Sequence, residues 1–132
     1  MPIRLGVTFW GGFTGSDSKK HLWFVVSDPE LGNGSVLIVN MTTKRDGLED
    51  VCVLTAADHS GVDHESVINY LKARIVSAGK ILEGHRRRPD CIIFAEAAEL
   101  ELVRRILQGA LRSQFISPEC QSRARAQLEA MG

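Results

Sequence analysis

Two apolar segments joined by a polar link, within residues 21–43, constrain the fold more than any other feature of this sequence. Residues 22–26 and 36–39 are unbroken apolar runs rich in β-branched and aromatic side chains, which favour β-strands. The link between them contains Asp, Pro, Gly and Asn, the residues that favour turns. The pattern predicts two buried strands of a small β-barrel, with polar groups on the rim where the strands end.

The composition predicts one soluble domain with a proper hydrophobic core. The chain has 132 residues, 44% of them hydrophobic, and 16 basic side chains balance 16 acidic ones. This zero net charge argues against nucleic-acid binding by bulk charge alone, although it allows a local basic groove. The three cysteines form no CxxC pair, so neither a zinc finger nor a redox dithiol is indicated. Without a secretion signal or an 18-residue apolar stretch, we expect a cytoplasmic protein that does not associate with a membrane.

Further strands are predicted on either side of this pair. Residues 3–10 alternate in polarity, residues 51–54 form a short apolar run, and residues 66–76 are rich in β-branched side chains. The last segment is also compatible with a helix, but we favour a strand. Residues 79–90 are predicted to be a loop.

Helical signals dominate the end of the chain. Residues 96–113 have apolar side chains at helical spacing, and Ser117 followed by Pro118 is typical of a helix start. Strands in the first part and helices in the last indicate an α+β fold. We therefore predict a single domain, 1–132, with an antiparallel β-barrel core in residues 1–78 and a mainly helical C-terminal extension in residues 79–132.

The segment KKHLWFVVSDPE, continued by VLIVNMTT, resembles the core of the PemK/MazF/Kid toxins of bacterial toxin–antitoxin systems. Lys19, Lys20 and His21 stand where that family has a basic residue before a strand, and Thr42-Thr43 takes the place of a Thr-Ser pair. The resemblance covers roughly residues 5–76. It implies a compact, curved, SH3-like barrel that is usually a homodimer.

The resemblance also implies an activity, the metal-independent cleavage of single-stranded RNA by attack of a 2′-hydroxyl on the adjacent phosphate. That reaction needs a base, an acid and positive charge near the phosphate. The resemblance implies catalytic roles for His21, Thr42 and Thr43, no cofactor, and an antitoxin as partner. The chain departs from the family by having Lys20-His21 where the family has Arg, and a histidine can replace Arg as acid or base because imidazole titrates near neutrality. It also has Asn69-Tyr70-Leu71 where some members have Arg and Asp.

Basic side chains elsewhere are candidate RNA contacts. Cations next to phosphates supply most of the affinity for nucleic acids. For the cluster at residues 85–88, a solvated segment balanced by Glu83 and Asp90 is the alternative interpretation. The residues that we expect to bind RNA are Lys19, Lys20, Arg74, Arg86 and Arg87.

His59 and His64 lie in the segment DHSGVDH, in which each histidine follows an aspartate. Two histidines and a carboxylate can bind one ion, but this spacing matches no zinc signature, so we favour a turn held by Asp side chains and predict no metal. A pocket that these histidines share with His21 is a further possibility. The sequence thus leaves three hypotheses: an endoribonuclease toxin, a non-catalytic binding module on the same barrel, and a metal-dependent hydrolase using His59 and His64.

Overall fold

The structure, a computed structural model, describes residues 2–12 and 20–132. These residues form six strands, three α-helices and a short 3-10 helix, Pro29–Gly32. In chain order the elements are β1 Thr8–Gly11, β2 His21–Val25, β3 Ser35–Thr43, β4 Val53–Leu54, β5 Ser66–Ser77, α1 Ala78–Arg87, β6 Ile92–Ala95, α2 Leu100–Arg112 and α3 Pro118–Met131.

The six strands form one antiparallel sheet in the order β4-β5-β3-β2-β1-β6, and this sheet curls into a half-barrel. The β3–β5 register shifts between Ile38, which pairs with Arg74, and Asn40, which pairs with Asn69. Strand β5 therefore has extra residues opposite β3, and such a bulge bends a strand and increases its twist. The predicted α+β fold with an antiparallel, barrel-like sheet and C-terminal helices is confirmed.

Both faces of the central strands are buried, which explains their unbroken apolar sequence. One face carries Leu22 and Phe24 and packs against α2 and α3, whose buried side chains include Ile106 and Ala124. The opposite face forms a smaller cluster with Ile81 of α1. Its other fully or nearly fully buried members are Ile3, Val7, Phe9, Trp23, Val25, Val36 and Ile38.

Several predicted elements are confirmed. The two apolar segments belong to β2 and β3, and the ambiguous segment at 66–76 is the strand β5. Helix α3 begins as predicted, because the Ser117 side chain accepts a hydrogen bond from the Cys120 backbone N–H. Strand β6, for which no strand was predicted, pairs with β1 and so extends the sheet. None of the helices in the described ranges has the length and apolarity needed to cross a membrane.

The predicted loop at residues 79–90 is wrong, because most of this segment is helix α1. Ser77 caps the helix by accepting a hydrogen bond from the Lys80 N–H, and Ile81 is buried against the sheet. Glu83 then pairs with the side chains three and four residues later, a spacing that stabilises a helix. The short apolar stripe of this helix was too weak a signal beside its many charged residues.

Candidate functional site

The candidate site lies at the end of β3, where the chain leaves the sheet after Thr42 and Thr43. Strand β2 runs antiparallel to β3, with Trp23 opposite Asn40, so His21 at the start of β2 comes beside the end of β3. The His21 Nδ1 lies 3.4 Å from the backbone oxygen of Met41. Because a carbonyl only accepts, Nδ1 donates in this contact and Nε2 of the neutral ring is left as an acceptor. The predicted catalytic residues are therefore brought together by strand pairing.

Thr43 contacts a second histidine that comes from the loop before β5. The Thr43 Oγ1 lies 2.8 Å from the His64 Nε2, and the His64 Nδ1 is paired with the Asp63 carboxylate. These groups are accessible, with 56% of the His64 side chain and 87% of the Asp63 side chain exposed. The result is a hydroxyl–imidazole–carboxylate chain on the surface at the end of β3.

His59 has a different place from His64. It is buried, its ring packs edge-on against Phe24, and its Nε2 lies 2.6 Å from the backbone oxygen of Glu96. Its Nδ1 accepts a hydrogen bond of 2.8 Å from the Gly61 N–H. We therefore assign His59 to the core, where it ties the loop to the sheet. Within residues 2–12 and 20–132, no group of three or more His, Cys, Asp or Glu side chains is placed to hold a metal ion.

Trp23 and Arg74 lie on the sheet beside this site. Trp23 is 4% exposed, and its Nε1 donates a hydrogen bond of 3.0 Å to the backbone oxygen of Gly11. The Arg74 guanidinium carbon lies 5.9 Å from the centre of the Trp23 ring, within the range of a cation–π contact. This contact holds a positive charge above the sheet next to the candidate site.

Asn40 is a residue of this region that the sequence analysis missed. It is 4% exposed and lies in register between Trp23 and Asn69. In the described part of the chain, its Oδ1 is the only buried side-chain N or O atom without a hydrogen-bond partner. The signal was present in the sequence, since a single Asn interrupts the apolar run of β3.

The remaining basic candidates occupy other positions. Lys20 is exposed and its Nζ donates to the backbone oxygen of Asp90, whereas Lys19 lies outside the described residues. Arg86 and Arg87 lie in the last turn of α1, and both pair with Glu83, at 2.6 Å and 2.7 Å. The hydrogen bond from Arg86 holds the pKa of the Glu83 carboxyl below its ordinary value. As the alternative interpretation required, Glu83 balances part of this cluster, although the segment is helical.

An apolar cavity of about 130 Å³ adjoins the site. Thr42 and Asn69 contribute to its wall on the side of the sheet. Its lining also includes three large apolar side chains that remain exposed: Leu48 (43%), Leu71 (65%) and Phe115 (55%). Exposed apolar side chains grouped in this way are typical of binding surfaces.

No protein-family model and no curated protein sequence matches this chain. A solved structure does match, the crystal structure of MazE-MazF (Form-III) from Deinococcus radiodurans, with a TM-score of 0.55 and 16% identity. The match covers 89% of this chain and 100% of that chain. The chain has a MazF-like fold. Sequence identity this low carries the fold and not the residue roles, which depend on the geometry described above.

On this MazF-like fold, the predicted site residues fall into separate groups. His21 contacts the end of β3 from β2, His64 contacts Thr43 from the loop before β5, and Arg74 contacts Trp23 on β2. Of the two histidines considered for a pocket with His21, His64 contacts Thr43, whereas the polar contacts of His59 lie in the core. His64 and its carboxylate partner could not be assigned from the sequence, because the identical Asp-His pair at 58–59 is used structurally.

Proposed function

We propose that this chain is a MazF-like toxin of a bacterial or phage toxin–antitoxin system and that it cleaves single-stranded RNA without a metal ion. One observation supports the proposal: on a MazF-like fold, His21 contacts the backbone of Met41, directly before Thr42 and Thr43 at the end of β3. An imidazole can transfer protons in phosphodiester cleavage, and hydroxyl groups can donate hydrogen bonds to phosphate oxygens.

In the proposed reaction the substrate supplies its own nucleophile. The 2′-oxygen forms a bond to phosphorus, the bond from phosphorus to the 5′-oxygen breaks, and the products are a 2′,3′-cyclic phosphate and a 5′-hydroxyl. His21 transfers a proton, and the hydroxyls of Thr42 and Thr43 donate hydrogen bonds to the phosphate oxygens. Lys20 and Arg74 supply positive charge, which stabilises the phosphorane formed by the attack.

The proposal includes partners. The matching structure contains MazE with MazF, and by analogy we propose a protein antitoxin that blocks this chain. We further propose that the chain acts as a cytoplasmic homodimer, with RNA contacts extending to Arg86 and Arg87 at the end of α1.

Expression of the wild-type protein beside Thr43→Ala tests the proposal. Growth and total RNA integrity are followed in the same cultures, and the purified proteins are assayed on single-stranded RNA in the presence of a chelator. We expect growth arrest and RNA fragmentation with the wild type, and at least a tenfold weaker effect with Thr43→Ala because the hydroxyl contact to the phosphate is lost. Normal growth and intact RNA with both proteins would contradict the toxin function.

A non-catalytic binding module is the second candidate, and the apolar cavity lined by Leu48, Leu71 and Phe115 favours it. Such a module would bind RNA or protein without altering it. It predicts RNA that remains intact at saturating protein while a gel-shift or anisotropy measurement detects a complex.

A further inference from the structure

We propose that His64 is the general base of the reaction and that Asp63 positions it. This inference rests on the proposed function, since it names the residue that removes the proton from the attacking 2′-hydroxyl. It is carried by the contacts at the end of β3, where one imidazole has a carboxylate on one ring nitrogen and a hydroxyl on the other. A base oriented by a third group is the arrangement that activates hydroxyl groups in enzymes.

The two contacts of the ring define which nitrogen can accept a proton. A carboxylate only accepts hydrogen bonds, so the contact with Asp63 places the ring hydrogen on Nδ1. In the neutral ring, Nε2 then carries a lone pair and accepts the Thr43 hydroxyl hydrogen at 2.8 Å. The basic nitrogen of His64 therefore faces the strand end at which the phosphate is proposed to bind.

Backbone contacts hold His64 in this place although its side chain is exposed. Thr43 pairs with Ser66 in the β3–β5 register, and the Ser66 hydroxyl donates a hydrogen bond of 3.0 Å to the His64 backbone oxygen. The next residues on each side, Lys44 and Glu65, form an ion pair of 3.0 Å. Of the two carboxylates next to His64 in sequence, that of Glu65 pairs with Lys44 and that of Asp63 contacts the His64 Nδ1.

The proton can be followed through the step. The 2′-hydroxyl replaces the Thr43 hydroxyl at the His64 Nε2 and gives up its proton as the 2′-oxygen bonds to phosphorus. Asp63 stabilises the imidazolium that results, as a carboxylate does beside a catalytic histidine. The displaced Thr43 hydroxyl donates to a phosphate oxygen, and His21, which enters the step as the imidazolium, protonates the leaving 5′-oxygen from its Nε2. Proton exchange with water then restores both rings.

Variants of the full-length protein test this assignment on a single-stranded RNA that the wild type cleaves. We expect His64→Ala to lower kcat by about 10²–10⁴-fold, the usual contribution of a general base, with little change in RNA affinity. Asp63→Asn should lower kcat by about tenfold or more because the ring loses its orientation. Asp46→Asn removes the same charge from an exposed loop and serves as the matched control, which should cleave as the wild type does.

Two measurements separate a base from a merely structural residue. Added imidazole should restore part of the activity of His64→Ala. A substrate whose 5′-oxygen is replaced by sulfur needs no acid, because the thiolate leaves without being protonated. Such a substrate should therefore restore the cleavage activity of His21→Ala and leave His64→Ala inactive. A third measurement does not depend on activity. The ¹⁵N chemical shifts of the ring should show that neutral His64 carries its hydrogen on Nδ1 in the wild type. In Asp63→Asn these shifts should change, because the carboxylate that fixes the hydrogen on Nδ1 is lost.

The outcomes distinguish this inference from the function on which it rests. Wild-type cleavage with undiminished activity in His64→Ala would overturn the role of His64 and leave the toxin function intact. A loss of activity without rescue by imidazole, or with full recovery on the sulfur-containing substrate, would also contradict a base. If the wild type cleaves no RNA, the proposed function fails and the inference fails with it.

Discussion

Asn40 shows how a single residue can oppose stability in this fold. Its Oδ1 is buried between Trp23 and Asn69 without a hydrogen-bond partner. Leaving such an acceptor buried costs about 1–3 kcal/mol relative to its exposure to water. Native proteins contain few such groups, and those that persist are concentrated where function needs a polar atom. Asn40 lies two residues before Thr42, on the same face of β3.

Replacing Asn40 by Leu, which has a similar shape, tests the cost of this buried polar atom to stability. We expect Asn40→Leu to raise the free energy of unfolding by about 1 kcal/mol, because the unpaired polar atom is removed while packing is kept. Urea unfolding measures the change, and RNA cleavage by the same protein should fall. Asn69→Leu is the matched control and should give no gain, since Asn69 is half-buried and its polar atoms are not stranded. A less stable Asn40→Leu protein would contradict this account.

At the scale of elements, the contact between α2 and β5 depends on a glycine. Tyr70 of β5 is buried and its hydroxyl donates a hydrogen bond of 2.6 Å to the backbone oxygen of Ile106 in α2. Burial raises the pKa of the Tyr70 hydroxyl, so it remains a donor at all ordinary pH values. A Cβ on Gly109 would lie 2.3 Å from the Tyr70 hydroxyl oxygen. Only glycine therefore lets the helix approach the strand so closely.

Two alanine substitutions measure this close approach. Gly109→Ala should lower the free energy of unfolding by about 1–3 kcal/mol, the usual cost of overpacking a core. Gly79→Ala is the matched control, because Gly79 is exposed in the first turn of α1 and its added Cβ meets nothing nearer than 3.5 Å. There the better helix propensity of Ala should stabilise the protein by about 0.5–1 kcal/mol. Equal effects at both positions would contradict the role assigned to Gly109.

At the scale of the whole molecule, polar links tie the loops of the sheet to the helices that cover it. Arg105 of α2 donates hydrogen bonds to the Asp58 carboxylate, at 2.6 Å, and to the backbone oxygen of Val53. On α3, the Gln127 side chain accepts from the Asp28 N–H, and Arg123 contacts Ser35. These links join residues more than 40 positions apart in sequence, so they form only when the helices are docked.

The Asp58–Arg105 link makes part of the stability depend on pH. Burial alone raises the pKa of Asp58, but hydrogen bonds from the Thr55 N–H and from Arg105 outweigh it and hold the pKa below the ordinary value of 3.8. A lowered pKa stabilises the folded state above the unfolded pKa, and this contribution is lost as the pH falls through the folded pKa. The thermal midpoint of Asp58→Asn should therefore lie below that of the wild type by a constant amount above about pH 5. The thermal midpoints of the two proteins should converge at acidic pH. A difference between them that grows as the pH falls would contradict this account.

Local chemistry in the sequence by itself determined several elements of this protein. The apolar runs of β2 and β3 and the Ser117-Pro118 helix start act through side-chain burial and capping within a few residues, so they could be predicted without the fold. The ends of β2 and β3 also marked His21, Thr42 and Thr43 as candidates. Helix α1 was not predicted because Ile81 is its one fully buried side chain, so its apolar pattern is weak.

Only the tertiary structure decided which of the two Asp-His pairs belongs to the site. His59 and His64 are five positions apart with the same preceding residue, yet one is buried against Phe24 and the other faces Thr43. The sequence shows Asn40 as a single polar residue in an apolar run, but it does not show that the Asn40 Oδ1 lacks a hydrogen-bond partner. Both outcomes depend on strand order and register, which are established by packing between residues far apart in the chain. The residues within a short segment therefore do not indicate how that segment packs against distant parts of the chain.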